Sequence, residues 1–485
     1  MRSVSVDRRV KIVTTLGPAV AGRERLQELL LAGADVVRVN AAHGGPDERA
    51  VLIDDVRWAA AEIGRHVPIL FDLKGLKIRT GPLKGEEPVP FARGSDIEIF
   101  PEPVPTEPGK IGIDYPNLFD VIQPGSRMLI SDGLIELLVD RIERGAAKCR
   151  VGRGGLLLGR QGVTLPGAPI VGGSLTVSDR EDIAFAVTHG VDFLGLSFIN
   201  DASDLVLARG VAGAHNQTPP GMVAKIERSE ALGNVEAIAK QADGLMVARG
   251  DLGVQLPPER VPRAQKNIIR VGNSLGVPVI TATQMLESMI TQPMATRAET
   301  NDVANAVWDG TDAVMLSAET AVGRYPIEAV QTMNRIVIEA EREGPIRSEA
   351  ALQPLATKGD ESLAFADAIA RAAFALAETA PAEHIVVFTL TGAAAKRIAK
   401  YRPRPPIIAV TTEEAIARRL NLVWGVQAVV GPLETDPDKL FRIAGRAIIE
   451  AGLARQDEYA LIVGSLPMMR IAGRTNLVHV RKLGT

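Results

Sequence analysis

FLGLSF (193–198), MVAKIE (222–227), LMVARG (245–250), PVITATQ (278–284) and AVMLSAE (313–319) are five short apolar runs, each followed by a stretch of helical periodicity. A strand buried on both faces reads as a continuous apolar run. Strands of this kind separated by helices form a parallel sheet through right-handed crossovers. The same alternation occurs upstream. VKIVTTLG (10–17) precedes a helical stretch at 23–32, DVVRVN (35–40) precedes one near 47–63, and PILFDL (68–73) follows. Three units before an interruption and five after it make eight, the number in a TIM (β/α)8 barrel of about 250 residues.

The interruption begins at Thr80-Gly81-Pro82. From about 81 to 176, Gly, Pro and short alternating runs replace the helical periodicity, among them SDIEIF (95–100), RMLI (127–130) and LIELLVD (134–140). This pattern predicts a compact, mainly antiparallel β domain. It leaves from the end of the third strand, on the face where active sites of this fold lie, and is placed to act as a lid. After a helix near 327–343, HIVVFTL (384–390), PIIAVTT (406–412), VQAVVG (426–431) and ALIVG (460–464) alternate with helical stretches. They predict a second, smaller open α/β domain. The expected class is α/β: a TIM (β/α)8 barrel (1–80 and 177–345), an inserted small β-barrel lid (81–176) and a C-terminal α/β domain (346–485).

The bulk numbers agree with this division. At about 150 residues per domain, the 485 residues suggest about three domains. The formal net charge is −3 and no block of Lys or Arg stands out, so neither nucleic acid nor an anionic membrane is an expected partner. No run of about 18 uncharged apolar residues occurs, so no membrane span is expected. MRSVSVDRRVKIV lacks an apolar stretch of signal-peptide length. The single cysteine, Cys149, excludes an internal disulfide and fits a reducing compartment. The expectation is a cytoplasmic protein.

Polar residues at the C-terminal ends of TIM-barrel strands face the substrate. Here strand two supplies Arg38 and Asn40, with His43 just beyond. Strand three supplies Asp72, Lys74, Lys77 and Arg79, and strand five supplies Lys225 and Glu227. Strands six to eight supply Arg249 with Asp251, Thr283 with Gln284, and Ser317 with Glu319. Any one of these could be a satisfied ion pair. Such residues at six ends out of eight are hard to explain by packing, because unpaired buried charge is costly. Two arginines and a lysine can grip a phosphate. Glu227 and Asp251 are hard oxygen ligands suited to Mg²⁺. Lys225 and Glu227, two apart on a strand, face the same side. Cations and a metal around a phosphate are what phosphoryl transfer requires.

KIVTTLGP (11–18), VVRVNAAHG (36–44), DLKGLKIRTG (72–81), AKIER (224–228), DGLMVARGDLGV (243–254), VITATQMLESM (279–289) and TRAETNDVANAVWDGTDAVMLSAETAVGRYP (296–326) together resemble the pyruvate kinase family. VTLPG (163–167) is similar to the end of that family's lid. YRPRPPIIAVT (401–411) and GRTNLVHV (473–480) are similar to its C-terminal domain. The resemblance implies transfer of the phosphoryl group of phosphoenolpyruvate to ADP, giving pyruvate and ATP. It implies that Arg38 and Arg79 hold the phosphoryl group and that Lys225 stabilises its charge in flight. Glu227 and Asp251 would bind Mg²⁺ or Mn²⁺. Backbone N–H groups near Arg249, Gly250 and Asp251, with Thr283, would hold the substrate carboxylate. Thr283 also stands where the family delivers a proton to the enolate, with Ser317 and Glu319 behind it. Asn40, His43 and Pro18 would lie towards the nucleotide. A homotetramer and a sugar-phosphate or nucleotide effector are also implied.

Three departures from the family pattern bear on function. The family usually reads Asn-Phe-Ser-His where this chain has Asn40-Ala41-Ala42-His43, and Asp-Thr-Lys-Gly-Pro-Glu where it has Asp72-Leu73-Lys74-Gly75-Leu76-Lys77. The missing serine and glutamate accompany a bound K⁺ in the family. Lys77 brings a fixed ammonium to that place, so independence of K⁺ is expected. In the lid, Gln161 stands where a lysine is usual, with Arg160 before it to supply charge, and Asn200 stands where arginine often follows Ser-Phe-Ile. In the C-terminal domain, Thr389-Leu390-Thr391-Gly392-Ala393-Ala394 keeps two hydroxyls of a richer effector turn.

Several weaker signals carry structural readings only. GRGGLLLGRQG (152–162) lacks a P-loop ending and reads as a turn between strands. Arg249-Gly250-Asp251 is metal-site sequence rather than an adhesion motif. Asn216-Gln217-Thr218 matches a glycosylation acceptor without relevance in cytoplasm, and Cys149 reads as a small strand residue. Two rival readings stay open at this point: a lyase or aldolase handling phosphoenolpyruvate or pyruvate, and a catalytically weak relative serving as a sensor or assembly subunit.

Overall fold

A computed structural model of the chain describes residues 8–143, 145–168, 175–215, 218–345, 347, 349–355, 360–465 and 474–484. Asn216 and Gln217 of the glycosylation-like triplet, and Gly473 of the last family-like motif, lie outside them. Eight parallel strands close a barrel: Lys11–Thr15, Val36–Asn40, Ile69–Asp72, Phe193–Leu196, Gly221–Ile226, Gly244–Ala248, Val279–Ala282 and Ala313–Leu316, called strands one to eight below. The eighth pairs back onto the first, from Lys11 opposite Ala313 to Thr14 opposite Leu316. Seven of the eight are buried end to end, which is why they read as mainly apolar runs. Strand two is half-exposed at Arg38 and Asn40, its two polar positions.

Four aspartates set the register at the N-terminal end of the barrel. Asp35, Asp192, Asp243 and Asp312 each immediately precede an even-numbered strand. Each accepts, at 2.9 Å, the N–H at the start of the preceding odd-numbered strand: Ile12, Ile69, Met222 and Val279. The backbone N–H of each aspartate returns a bond to the carbonyl of that same residue, at 2.9, 3.1, 2.8 and 2.9 Å. Each clamp thus satisfies a strand-start donor that would otherwise be buried without a partner. Basic side chains neutralise the carboxylates: Arg8 and Arg65 on Asp35, Arg57 and Arg418 on Asp192, Arg209 on Asp243, and Arg402 on Asp312. Asp243→Ala orphans the Met222 N–H and is expected to cost about 1–3 kcal/mol, read from the urea midpoint. An unchanged midpoint would remove the clamp from the account.

Arg418 and Arg402 come from the C-terminal part, so two of the clamps also dock that part onto the base of the barrel. Lys11 adds a third link by donating to Val426 O at 2.7 Å. Leu422 packs with Val13, Leu70, Phe193, Met246 and Met315 of the barrel strands. The C-terminal sheet has five strands in the order Val426–Val430, Ile407–Thr411, His384–Phe388, Tyr459–Gly464, Leu477–Lys482. Four of them are the predicted strands. The fifth, antiparallel at one edge, goes beyond the prediction.

The insert holds a six-stranded sheet, antiparallel except for one pair, with its own apolar core around Ile97, Ile99, Ile111, Leu118, Met128 and Leu137. Cys149 lies buried in its strand Ala146–Arg153, where burial pushes the thiol up to about 12, with Asp140 adding to the rise. The glycine-rich run contains a short strand, Gly155–Leu157, paired with Val89–Phe91. Only part of it is the expected turn.

Candidate active site

The C-terminal strand ends converge on one buried carboxylate. Asp72, the last residue of strand three, is 1% exposed. Its Oδ2 accepts from Arg38 Nε at 2.8 Å and lies 2.5 Å from Arg38 Nη2. Its Oδ1 lies 3.2 Å from Lys225 Nζ. Lys225 is also 2.8 Å from Glu227 Oε1 and donates to Ser197 Oγ at 2.7 Å, and Ser197 donates to Leu73 O at 2.8 Å. Arg38 Nη1 donates to Thr15 Oγ1 at 3.2 Å. Strands one to five therefore all contribute to one cluster. Gly195 on strand four leaves room for it, because a Cβ there would meet Asp72 Oδ1 at 2.7 Å.

Charge balance fixes the protonation states. Burial alone would lower the Lys225 pKa, but Asp72 and Glu227 outweigh it and the ammonium is held charged. Burial would raise Asp72, but Lys225 and Arg38 outweigh it and the carboxylate stays ionised. Glu227 differs. Burial pushes it up to about 7; Lys225 opposes the rise and the Asp251 charge adds to it. Glu227 Oε2 accepts the Phe198 N–H at 2.7 Å, presented by a left-handed turn at Phe198 (φ 54°).

Two oxygen groups here suit a divalent cation. Glu227 Oε1 is buried and has no aligned hydrogen-bond donor. The Asp251 carboxylate forms no hydrogen bond or ion pair with the described residues, and it raises Glu227 by its charge. No cluster of three or more His, Cys, Asp or Glu among the described residues could hold a metal. Mg²⁺ fits such a two-carboxylate site because it keeps water and substrate oxygens in its shell.

Thr283 ends the cluster's other side. Its Oγ1 accepts the Gly250 N–H at 2.8 Å and donates to Ala282 O at 2.7 Å. Thr283 (φ 66°) and Gln284 (φ 53°) are both left-handed, a strain on the order of 1–3 kcal/mol each. The Arg249 guanidinium bonds their carbonyls and Asp302. Glu319, buried and raised by burial against the N–H groups it accepts, ties Ser317 N (2.7 Å) to Leu286 N (3.1 Å). The Ser317 Oγ is buried without a hydrogen-bond partner among the described residues.

The remaining predicted residues lie at the rim. Pro18 opens a 3-10 turn beyond strand one. Asn40 accepts from Ala42 N at 3.0 Å, and His43 N donates to Asn40 O at 3.1 Å. Arg79 is exposed and donates to Arg160 O at 3.0 Å; among the described residues no hydrogen bond or ion pair joins it to the Asp72 cluster. Lys74 turns away to pair with Asp182 at 3.3 Å, a structural contact. Lys77 is exposed and unpaired among the described residues. It lines a cleft of about 630 Å³ together with Asp132 of the insert and Arg249, Gly250, Asp251 and Gln284, which follow barrel strands six and seven. Gln161 accepts from Ser131 Oγ at 2.9 Å and its N–H donates to Thr80 Oγ1 at 2.9 Å, tying the insert to the residue that follows Arg79.

Sequence reasoning placed Asp72 at a strand end without seeing that two cations share it. It missed Ser197, Thr15 and Asp302 as partners. Their polar character at strand ends, or one turn into the following helix, was the only available signal.

The family model of the pyruvate kinase barrel domain matches residues 7–330, and that of the pyruvate kinase alpha/beta domain matches residues 367–481. A pyruvate kinase of Geobacillus stearothermophilus is 42% identical over 481 residues, 98% of this chain and 80% of that one. One of Bacillus licheniformis is 40% identical over 483 residues, 98% and 81% of the two chains. The crystal structure of a pyruvate kinase from Cryptosporidium parvum matches with a TM-score of 0.90 at 34% identity, covering 98% of this chain and 96% of that one. With both family models matched in order and relatives this similar along nearly its whole length, the chain belongs to the pyruvate kinase family.

Proposed function

We propose that the chain transfers the phosphoryl group of phosphoenolpyruvate to ADP, giving pyruvate and ATP, as the glycolytic step its family catalyses. The observation that carries this reading is the meeting of Arg38 and Lys225 on Asp72, beside the Glu227 and Asp251 carboxylates, at one mouth of the barrel. Arg38, with Arg79 from the lid junction, grips the phosphoryl oxygens. Arg79 is exposed and rimward, so it reaches the substrate as lid and barrel approach each other. Lys225, charged and anchored, stabilises the phosphoryl group in flight. Glu227 and Asp251 hold Mg²⁺ or Mn²⁺, which when bound neutralises negative charge on the substrates. Backbone N–H groups at Arg249 to Asp251 and Thr283 hold the substrate carboxylate. Thr283 then passes a proton to the enolate, with Ser317 and Glu319 behind it. Asn40, His43 and Pro18 face the nucleotide.

The finer readings are proposed on the same basis. Lys77 supplies the positive charge that a monovalent cation supplies in other members. Its side chain is exposed and lines the same cleft as Asp251. The barrel spans 1–80 and 177–345, the lid 81–176 and the C-terminal domain 346–485. The enzyme is a cytoplasmic homotetramer, and no helix among the described residues is long and apolar enough to cross a membrane. A sugar-phosphate or nucleotide effector would meet the turn at Thr389–Gly392, where the Thr389 hydroxyl already accepts the Gly392 N–H at 2.9 Å.

A coupled assay with phosphoenolpyruvate, ADP and Mg²⁺ tests the reaction; no pyruvate above background refutes it. The same assay in tetramethylammonium buffer is expected to give turnover within about twofold of that in K⁺, because a tethered charge replaces the ion. Turnover that collapses without K⁺ would return Lys77 to the solvated surface.

A further inference from the structure

Every nitrogen of the Arg249 guanidinium is engaged inside the protein. Nε contacts Ala282 O (3.3 Å) and Thr283 O (3.1 Å), and Nη2 contacts Thr283 O (2.5 Å), Gln284 O (3.0 Å) and Met285 Sδ (2.7 Å). Nη1 bonds Asp302 Oδ2 (2.6 Å) and approaches Gln265 Oε1 (3.5 Å). The residue is 7% exposed. A guanidinium so committed is not a free grip for a phosphate or carboxylate. It spans the carbonyls of three successive residues, two of which, Thr283 (φ 66°) and Gln284 (φ 53°), are left-handed without being glycine. That conformation is a genuine outlier for a β-branched residue and persists only when its surroundings over-determine it.

We propose that Arg249 is a positioning residue for Thr283: its planar fork fixes the left-handed turn after strand seven and so aims the Thr283 hydroxyl at the reacting centre. Asp302 and Gln265, on the two helices flanking this turn, hold the fork from behind. The neighbouring Gly250 N–H holds the hydroxyl itself, so one short segment after strand six sets both the backbone and the side chain of Thr283. Lysine cannot substitute, because a compact ammonium cannot span three carbonyls and a carboxylate at once. The inference rests on the reading that Thr283 works on the substrate, and it assigns the Arg249 side chain a task away from the substrate.

A double-mutant cycle tests it. Thr283→Ala is expected to lower kcat about a hundredfold, the range of a lost proton-transfer group. Arg249→Lys is expected to lower kcat at least about tenfold in the parent, and less than about twofold once Thr283 is alanine, since residues acting as a unit are not additive. Losses that simply multiply overturn the proposal. If Arg249→Lys does not fold, Asp302→Asn, which removes one anchor of the fork, takes its place in the same cycle with the same two outcomes. If the parent shows no turnover, the functional reading fails by itself. The crystal structure of Arg249→Lys, or of Asp302→Asn in its place, then decides the positioning claim: Thr283 leaving the left-handed region supports it, and an unchanged turn overturns it.

Discussion

Lys225→Met is expected to lower kcat by about three to five orders of magnitude, the range seen when a cation that stabilises a transferring phosphoryl group is lost. Three orders correspond to about 4 kcal/mol of transition-state stabilisation. The size follows from the setting. Lys225 is almost fully buried, at 2.7–3.2 Å from Ser197, Glu227 and Asp72, so water cannot take over its charge. Low local dielectric makes a fixed charge aimed at the reaction worth far more than one in solvent. Methionine keeps the length and apolar stem of the side chain, so the barrel still closes around it. Asp72 keeps Arg38, the residue proposed to hold the substrate phosphoryl group, so KM for phosphoenolpyruvate is expected to move by less than about tenfold while kcat collapses. Lys225→Arg keeps the charge but brings a wider head into a space set by those three contacts, and is expected to recover less than about a tenth of the loss. Steady-state kinetics at saturating phosphoenolpyruvate and ADP decide the matter. A kcat within tenfold of the parent would show that the ammonium only braces Asp72 and Glu227.

How much of this was legible depends on what each residue answers to. Strands such as Ile69–Asp72 and Ala313–Leu316 are buried on every residue, and burial on both faces is written directly in composition. The edge strand Leu477–Lys482 is half-exposed along its length, with His479 and Val480 open to solvent, so no run marked it. Lys225 and Glu227 were legible as a pair because strand geometry fixes i and i+2 on one side. That Asp72 joins Arg38 to Lys225 was not, because it depends on strands two, three and five meeting only when the barrel closes. The left-handed turns at Phe198 and Thr283 were hidden because neither residue is a glycine and nothing local announces φ above zero. The four clamp aspartates carry a visible signal, Asp immediately before an apolar run in GADVV (33–37), GVDFL (190–194), QADGL (241–245) and GTDAV (310–314). Only the strand register shows why it recurs with every second strand.

Asp72→Ala is expected to cost about 3–5 kcal/mol of stability, the range for breaking a buried ion pair from one side, along with most of the turnover. Asp72 and Glu227 are each 1% exposed, and without Asp72 the cations Arg38 and Lys225 lose the carboxylate they share, leaving Glu227 on Lys225 alone. Asp72→Asn separates charge from shape. Burial raises the Asp72 pKa, but Lys225 and Arg38 more than reverse that, so the folded value lies below the unfolded one. A depressed carboxyl contributes stability that is present above its unfolded pKa, about 3.9, and is lost as pH falls through the folded value. The stability gap between the parent and Asp72→Asn should therefore be flat from about pH 5 to 8 and narrow only below about pH 4. Glu227 has the opposite sign: its contribution is present below its unfolded value and is lost as pH rises towards about 7, so its slope falls in a separate window. Gly195→Ala should push in the same direction as Asp72→Asn, because its Cβ would crowd Asp72 Oδ1 at 2.7 Å. Urea midpoints of the parent and the three variants from about pH 2.5 to 8 read the result. A gap for Asp72→Ala below about 1 kcal/mol at pH 7 would mean that Arg38 and Lys225 do not depend on this carboxylate, and the cluster would lose its centre.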